Sequence, residues 1–134
     1  MDARRTGRIV VVGAALLIAG APVWAHHAMI AEFALNKPIT LQGTVTKLEW
    51  KNPHGFIHVD VAGTSGQVDN WAVETGSVYN MTKRGLKKTD LIPGTKVIIG
   101  GWAAKDGTLN AAGWIVTFPD REGRGRESSF SLGR

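Results

Sequence analysis

The sequence contains no cysteine among its 134 residues. A disulfide scaffold, a thiolate metal site and a cysteine nucleophile are therefore excluded. Apolar runs are short, and none reaches the roughly 20 residues that a membrane-spanning helix requires, which argues against a multi-pass membrane protein. The excess of 16 basic over 11 acidic residues is modest and is not typical of a dedicated nucleic-acid-binding protein. Hydrophobic residues make up 43% of the chain, too many for an intrinsically disordered protein.

The first 25 residues have the composition of a secretory signal peptide. Arg4, Arg5 and Arg8 make the start basic, an uninterrupted apolar stretch follows over residues 9–21, and Ala25 completes a small-residue cleavage site. The apolar stretch is too short for a membrane anchor. We therefore expect cleavage after Ala25 and a periplasmic or secreted protein.

Five later segments have the composition and alternation of β-strands, and they cover residues 39–50, 56–61, 67–75, 96–103 and 109–118. Between the third and the fourth, Ser77 is a candidate N-cap and Gly85 a candidate stop for a helix. The order β-β-β-α-β-β predicts an all-β fold with one helix, a small five-stranded OB-like barrel. A flat sheet with a helix at its edge is the alternative architecture.

The same patterns divide the chain into four parts. We expect a signal peptide over residues 1–25, an N-terminal segment over 26–37, the OB-like barrel domain over 38–119 and a tail over 120–134. The tail contains mostly arginine, glycine, glutamate and serine without periodicity, so the sequence predicts that it is basic and disordered.

Four histidines lie in the first half of the chain, at positions 26, 27, 54 and 58. After cleavage behind Ala25, His26 would carry both the free amine and an imidazole, which together can chelate one metal ion. His27 would add a second imidazole, and imidazole suits copper and zinc. His54 lies in the turn after the first strand, and a barrel would bring it near Glu74 at the end of the third. These histidines can equally be surface or turn residues without a ligand.

Glu74 has two interpretations. It can join the histidines as a tentative fourth metal ligand after His26, His27 and His54. The simpler interpretation, which we favour, is a salt bridge with the segment that follows, most obviously with Arg84.

The four tryptophans behind the leader all fall in predicted strands: Trp50, Trp71, Trp102 and Trp114. They could form a stacking platform for bases or sugars, as OB-type barrels often do. Core packing is the better prediction, because a small barrel needs large side chains to fill it. Export and a low net charge argue further against nucleic acid as a partner.

The chain resembles a family of short exported bacterial proteins of unknown function that share an HH…W-x-N-P-H…W-x-x-E pattern. The matching residues span about positions 26–118 and are His26, His27, Trp50, Asn52, His54, Trp71 and Glu74. The resemblance implies a signal peptide and a small β-barrel, and it makes these residues the candidate site. It implies no established activity.

These observations leave three functional hypotheses. The first is an exported protein that binds copper or zinc through its histidines. The second is a non-metal ligand- or protein-interaction module of the cell envelope, with an exposed patch around Trp50 and Phe56. The third, an enzyme, ranks last, because no nucleophile elbow or phosphate-binding loop is present. We therefore expect no catalytic residues, and no membrane span after cleavage.

Overall fold

A computed structural model describes residues 28–123 and 127–134. The chain divides into two units, Met1–Glu32 and Phe33–Arg134. In the first unit the described residues, 28–32, are helical. The predicted signal peptide, His26 and His27 lie outside the described residues. Among those described, no helix has the length and apolar character needed to cross a membrane.

The second unit is mostly β-structure, as predicted. Its strands are β1 (Phe33–Glu49), β2 (Phe56–Ala62), β3 (Val68–Glu74), β4 (Lys96–Ala104), β5 (Asn110–Thr117) and β6 (Ser129–Ser131). One α-helix, α1 (Val78–Lys83), follows β3, and two 3₁₀ helices cover Lys88–Leu91 and Pro119–Arg121. The strands and the helix of the predicted β-β-β-α-β-β order are therefore present, with the 3₁₀ helices and a sixth strand added.

The strands form one sheet in the order β3-β2-β1-β4-β5-β6. Neighbours in this order pair antiparallel. In addition, β3 pairs with β5 in parallel register, with Val73 opposite Ala111. The first five strands therefore pair in a ring, in the order β3-β2-β1-β4-β5 and back to β3.

β1 begins at Phe33, earlier than the predicted start at Ile39. Asn36-Lys37-Pro38 is typical of an interruption between strands, because proline has no N–H to donate to a neighbouring strand. The structure accommodates it with a shift in register between Phe33 and Pro38 against β4. The strand therefore extends into the segment that we expected to precede the domain.

β1 changes its pairing partner near Gly43. Up to Thr44 the strand pairs with β4, and from Thr44 to Glu49 it pairs with β2. A Cβ atom at Gly43 would lie 2.1 Å from the carbonyl oxygen of Asp60. Only glycine allows the two backbones to approach so closely at this position.

The hydrophobic core lies between the strands and under α1. β2 shows the predicted alternation, since Ile57 and Val59 are fully buried while His58 between them is only partly buried. Val73 and Ile99, from β3 and β4, complete the centre of the core, and Met81 is the buried residue of α1. Core packing was predicted for four tryptophans, and two of them, Trp50 and Trp71, are half-buried and pack against this core.

The prediction of a disordered tail over residues 120–134 is wrong for residues 127–134, which we call the C-terminal segment. It contains β6, which pairs with β5, and its Leu132 is fully buried. Phe130 packs edge-on against Phe118, with ring centroids 5.9 Å apart. The two apolar side chains supply the burial that a disordered segment lacks.

Candidate functional site

The turn between β1 and β2 is fastened to the start of α1. Ser77 is the N-cap, as predicted, and its hydroxyl accepts a hydrogen bond of 3.2 Å from the backbone N–H of Asn80. The side-chain oxygen of Asn52 accepts another, of 2.9 Å, from the backbone N–H of Val78. Two of the helix's otherwise unpaired N–H groups are thereby satisfied. The Asn-Pro-His turn is thus held against α1.

Gly55 brings the same turn against the end of β3. Its carbonyl oxygen accepts a hydrogen bond of 2.9 Å from the backbone N–H of Thr75. A Cβ atom at Gly55 would lie 2.7 Å from the carbonyl oxygen of Glu49 and 3.0 Å from the hydroxyl oxygen of Thr75. The lack of a side chain at Gly55 therefore permits close packing against the end of β1 and against the residue that follows β3.

The structure brings together two of the sequence-predicted site residues, His54 and Glu74. The Nδ1 atom of His54 lies 2.5 Å from a carboxylate oxygen of Glu74. The imidazole is 45% exposed, whereas the carboxylate is only 16% exposed. Nδ1 is therefore the ring nitrogen that faces Glu74, on a side chain that is partly exposed to solvent.

Glu74 also forms a salt bridge with Arg134 of the C-terminal segment. The sequence suggested Arg84 as its partner, and that expectation is wrong, because the segment containing Arg134 folds back beside β3. The guanidinium is 8% exposed and lies 6.0 Å from the centre of the Phe33 ring. One carboxylate thus joins an exposed imidazole to a buried arginine, and we call His54, Glu74 and Arg134 the Glu74 cluster.

The fourth histidine, His58, lies in a second cluster. Its Nε2 atom is 2.8 Å from the carboxylate of Glu49, which also accepts hydrogen bonds from Lys51 at 2.7 Å and from Lys47 at 3.2 Å. The hydrogen bonds from Lys51, His58 and Lys47 lower the pKa of Glu49 from 4.5 to about 2. We call these four residues the Glu49 cluster.

The two clusters lie on the same face of the sheet. Phe56 is the Cα partner of Glu49 on one side and of Glu74 on the other. Residues directly opposite one another across strands point to the same face, and neighbouring strands are about 4.8 Å apart. The Phe56 ring therefore separates two histidine–carboxylate pairs whose carboxylates start from positions roughly 10 Å apart.

Trp50 and Phe56, around which we expected an exposed patch, are both partly exposed, and the Lys51 ammonium lies 5.3 Å from the centre of the Phe56 ring. Trp102 and Trp114 stack at 4.3 Å with their planes tilted by 52°.

The metal-ligand prediction involves His26, His27, His54 and Glu74. Within the described residues, 28–123 and 127–134, no group of three histidine, cysteine, aspartate or glutamate side chains is arranged to hold a metal ion. The structure provides one partly exposed imidazole, that of His54, backed by one carboxylate. Any further ligand from His26 or His27 lies outside the part of the chain described.

A family model for DUF6152, a family of unknown function, matches residues 14–113. The chain belongs to the DUF6152 family. The DUF6152 match includes the Asn-Pro-His turn, His54 and Glu74, and it stops before the C-terminal segment and Arg134. Comparison with curated proteins and with solved structures gave no significant match.

Sequence reasoning missed two parts of the site, Arg134 and the Glu49 cluster. The available signal for the first was the alternation of Phe130 and Leu132 in an otherwise polar tail, which is the pattern of a short strand. For the second, Lys47, Glu49 and Lys51 occupy alternate positions, and period two places such residues on one face of a strand.

Proposed function

We propose that this DUF6152 protein is an exported binding protein that holds copper or zinc with His54 as one of its ligands. The contact between His54 Nδ1 and Glu74 carries the proposal. A histidine that binds a metal commonly donates its other ring N–H to a carboxylate, which fixes the tautomer and orients the ring. With Nδ1 facing Glu74, Nε2 is the nitrogen with a lone pair for a metal ion.

The remaining ligands in this proposal are His26 and His27. After cleavage behind Ala25, the new terminal amine and the imidazole of His26 would chelate the ion together, and His27 would add another nitrogen. Neutral nitrogen ligands of this kind suit copper and zinc. Glu74 then acts as the carboxylate that orients His54 and not as a direct ligand.

We further propose that the second unit is an OB-like barrel. The parallel pairing of β3 with β5, which returns the order β3-β2-β1-β4-β5 to its start, supports this architecture. In such a barrel the loop after the first strand borders a common ligand-binding region. The Asn-Pro-His turn is that loop here, which supports a binding role for it.

The test is thermal unfolding of the secreted, purified protein with Cu(II), Cu(I) or Zn(II). At a free metal concentration one hundred times the Kd, binding stabilises the folded state by about 2.7 kcal/mol, which a melting curve resolves easily. We expect His54→Ala to lose the stabilisation. An added residue in front of His26 should also weaken it, because the amine is then displaced.

His58→Ala is the matched control. It removes an imidazole that is also paired with a carboxylate but is less exposed, at 22% against 45%. We expect this variant to keep the metal-dependent stabilisation. No stabilisation of the wild-type protein by any of the three ions would refute the proposal, and so would equal losses in the two variants.

A further inference from the structure

An open apolar groove lies between the C-terminal part of β1 and the first 3₁₀ helix. Its volume is about 410 Å³, within the range of small-molecule sites. The residues lining it are Thr46, Lys47, Leu48, Lys88, Thr89, Leu91, Ile92 and Pro93. None of them belongs to the Glu74 cluster, so the groove is independent of the proposed metal site.

The floor of the groove is apolar and continuous with the core. Leu91 is fully buried, and Leu48 packs against the core from one side. Ile92, beside them, leaves 57% of its surface exposed. Covering this branched aliphatic side chain with another apolar group would be favourable, because apolar surface is then removed from water.

Basic side chains outnumber acidic ones around the groove. Lys88 is exposed, and Lys47 is 64% exposed although its ammonium group contacts Glu49 at 3.2 Å. Glu49 also binds Lys51 at 2.7 Å, so this one carboxylate faces two ammonium groups, and Asp90 is paired with Arg121 at 2.6 Å. The net positive charge that remains favours an anion.

The exposed part of the groove lining is largely aliphatic, because Leu48, Ile92 and Pro93 contribute to it. An alkyl chain laid along these side chains would remove apolar surface from water without leaving a polar group of its own unpaired.

We propose that this groove binds a single-chain anionic amphiphile, such as a fatty acid. The alkyl chain lies on Leu48, Ile92 and Pro93, and the anionic headgroup lies near Lys88 and Lys47. Every such ligand has one aliphatic chain and one anionic end. The experiment distinguishes a carboxylate headgroup from a phosphate headgroup.

The test is isothermal titration calorimetry of the full chain with dodecanoate, kept below its critical micelle concentration. Parallel titrations use dodecyl phosphate, neutral dodecyl maltoside and cationic dodecyltrimethylammonium. We expect saturable one-to-one binding of the anions, at least tenfold tighter than that of the neutral and cationic compounds. The tighter of the two anions identifies the preferred headgroup.

Two pairs of variants locate the site. Lys47→Gln with Lys88→Gln should weaken anion binding about tenfold, whereas Lys37→Gln with Lys105→Gln, an equal change of net charge on other exposed lysines, should leave it unchanged. Ile92→Ser should weaken the binding of every dodecyl compound. Val68→Ser, at a residue 58% exposed elsewhere, should not.

The proposal is overturned by an absence of saturable binding, by equal affinity for the cationic compound, or by equal losses in the control variants. Binding to vesicles of anionic lipid without binding to monomeric dodecanoate would also overturn it, because the partner would then be a membrane surface.

Discussion

Replacing Leu132 by alanine tests whether the C-terminal segment belongs to the core. The side chain is fully buried, and its Cδ1 atom lies 2.7 Å from where a Cβ of Gly113 would be. Its backbone is held on both sides, since its N–H donates to Trp114 and its carbonyl accepts from Gly76, at 2.9 and 2.8 Å. The surrounding groups cannot close easily over the space that the leucine leaves.

Truncation of such a leucine costs about 3 kcal/mol, the lower part of the range for buried Leu→Ala changes. For a domain of this size, each kcal/mol lowers the melting temperature by about 4–8 °C, so we expect Leu132→Ala to melt about 12–24 °C below the wild type. Urea unfolding followed by tryptophan fluorescence gives the free-energy difference directly.

Leu109→Ala is the control, because this leucine is 40% exposed and its removal should cost less than about 1 kcal/mol. A change below about 1 kcal/mol for Leu132→Ala as well would show that the C-terminal segment does not pack in solution as described, and the assignment of β6 would be wrong.

Three further predictions concern the turn and its supports. Glu49→Gln should reduce the fall in melting temperature at low pH. The lowered pKa of Glu49 adds stability that is present above about pH 4.5 and disappears as the pH falls towards about 2, and glutamine does not titrate. Parallel profiles of melting temperature against pH for wild type and variant would contradict this. Asn52→Ala should lower the free energy of unfolding by about 1 kcal/mol, since the Val78 N–H loses its acceptor, and an unchanged urea midpoint would argue against the capping role. Gly76→Ala should cost about 1–3 kcal/mol in the same assay, because its Cβ would lie 2.3 Å from the carbonyl oxygen of Gly133; a neutral effect would mean that the backbones are further apart.

Much of the fold could be predicted because local signals agree with it. The alternation around Ile57 and Val59, the N-cap at Ser77 and the positive φ of 91° at Gly85 all depend on near neighbours in sequence. The early start of β1 at Phe33 could not be predicted in this way. It depends on pairing with Ala104, a partner far along the chain, which overrides the local preference of Pro38.

The candidate site was only half predictable, for the same reason. His54 and Glu74 end up together because a turn after β1 and the end of β3 meet at one edge, which follows from the strand order. The identity of the cation on Glu74 does not follow from it. Arg84 is near in sequence, but Arg134 reaches the carboxylate because Leu132, two residues earlier, is drawn into the core.

The change of partner along β1 has a consequence for how the chain reaches its folded state. The part of β1 after Gly43 meets β2 across a short turn, so this hairpin closes with little loss of chain entropy. The part before Gly43 must wait for β4, which lies much further along the chain. We therefore expect the part of β1 after Gly43 to pair first. The part before Gly43 should pair later, at the slow rate typical of distant pairings.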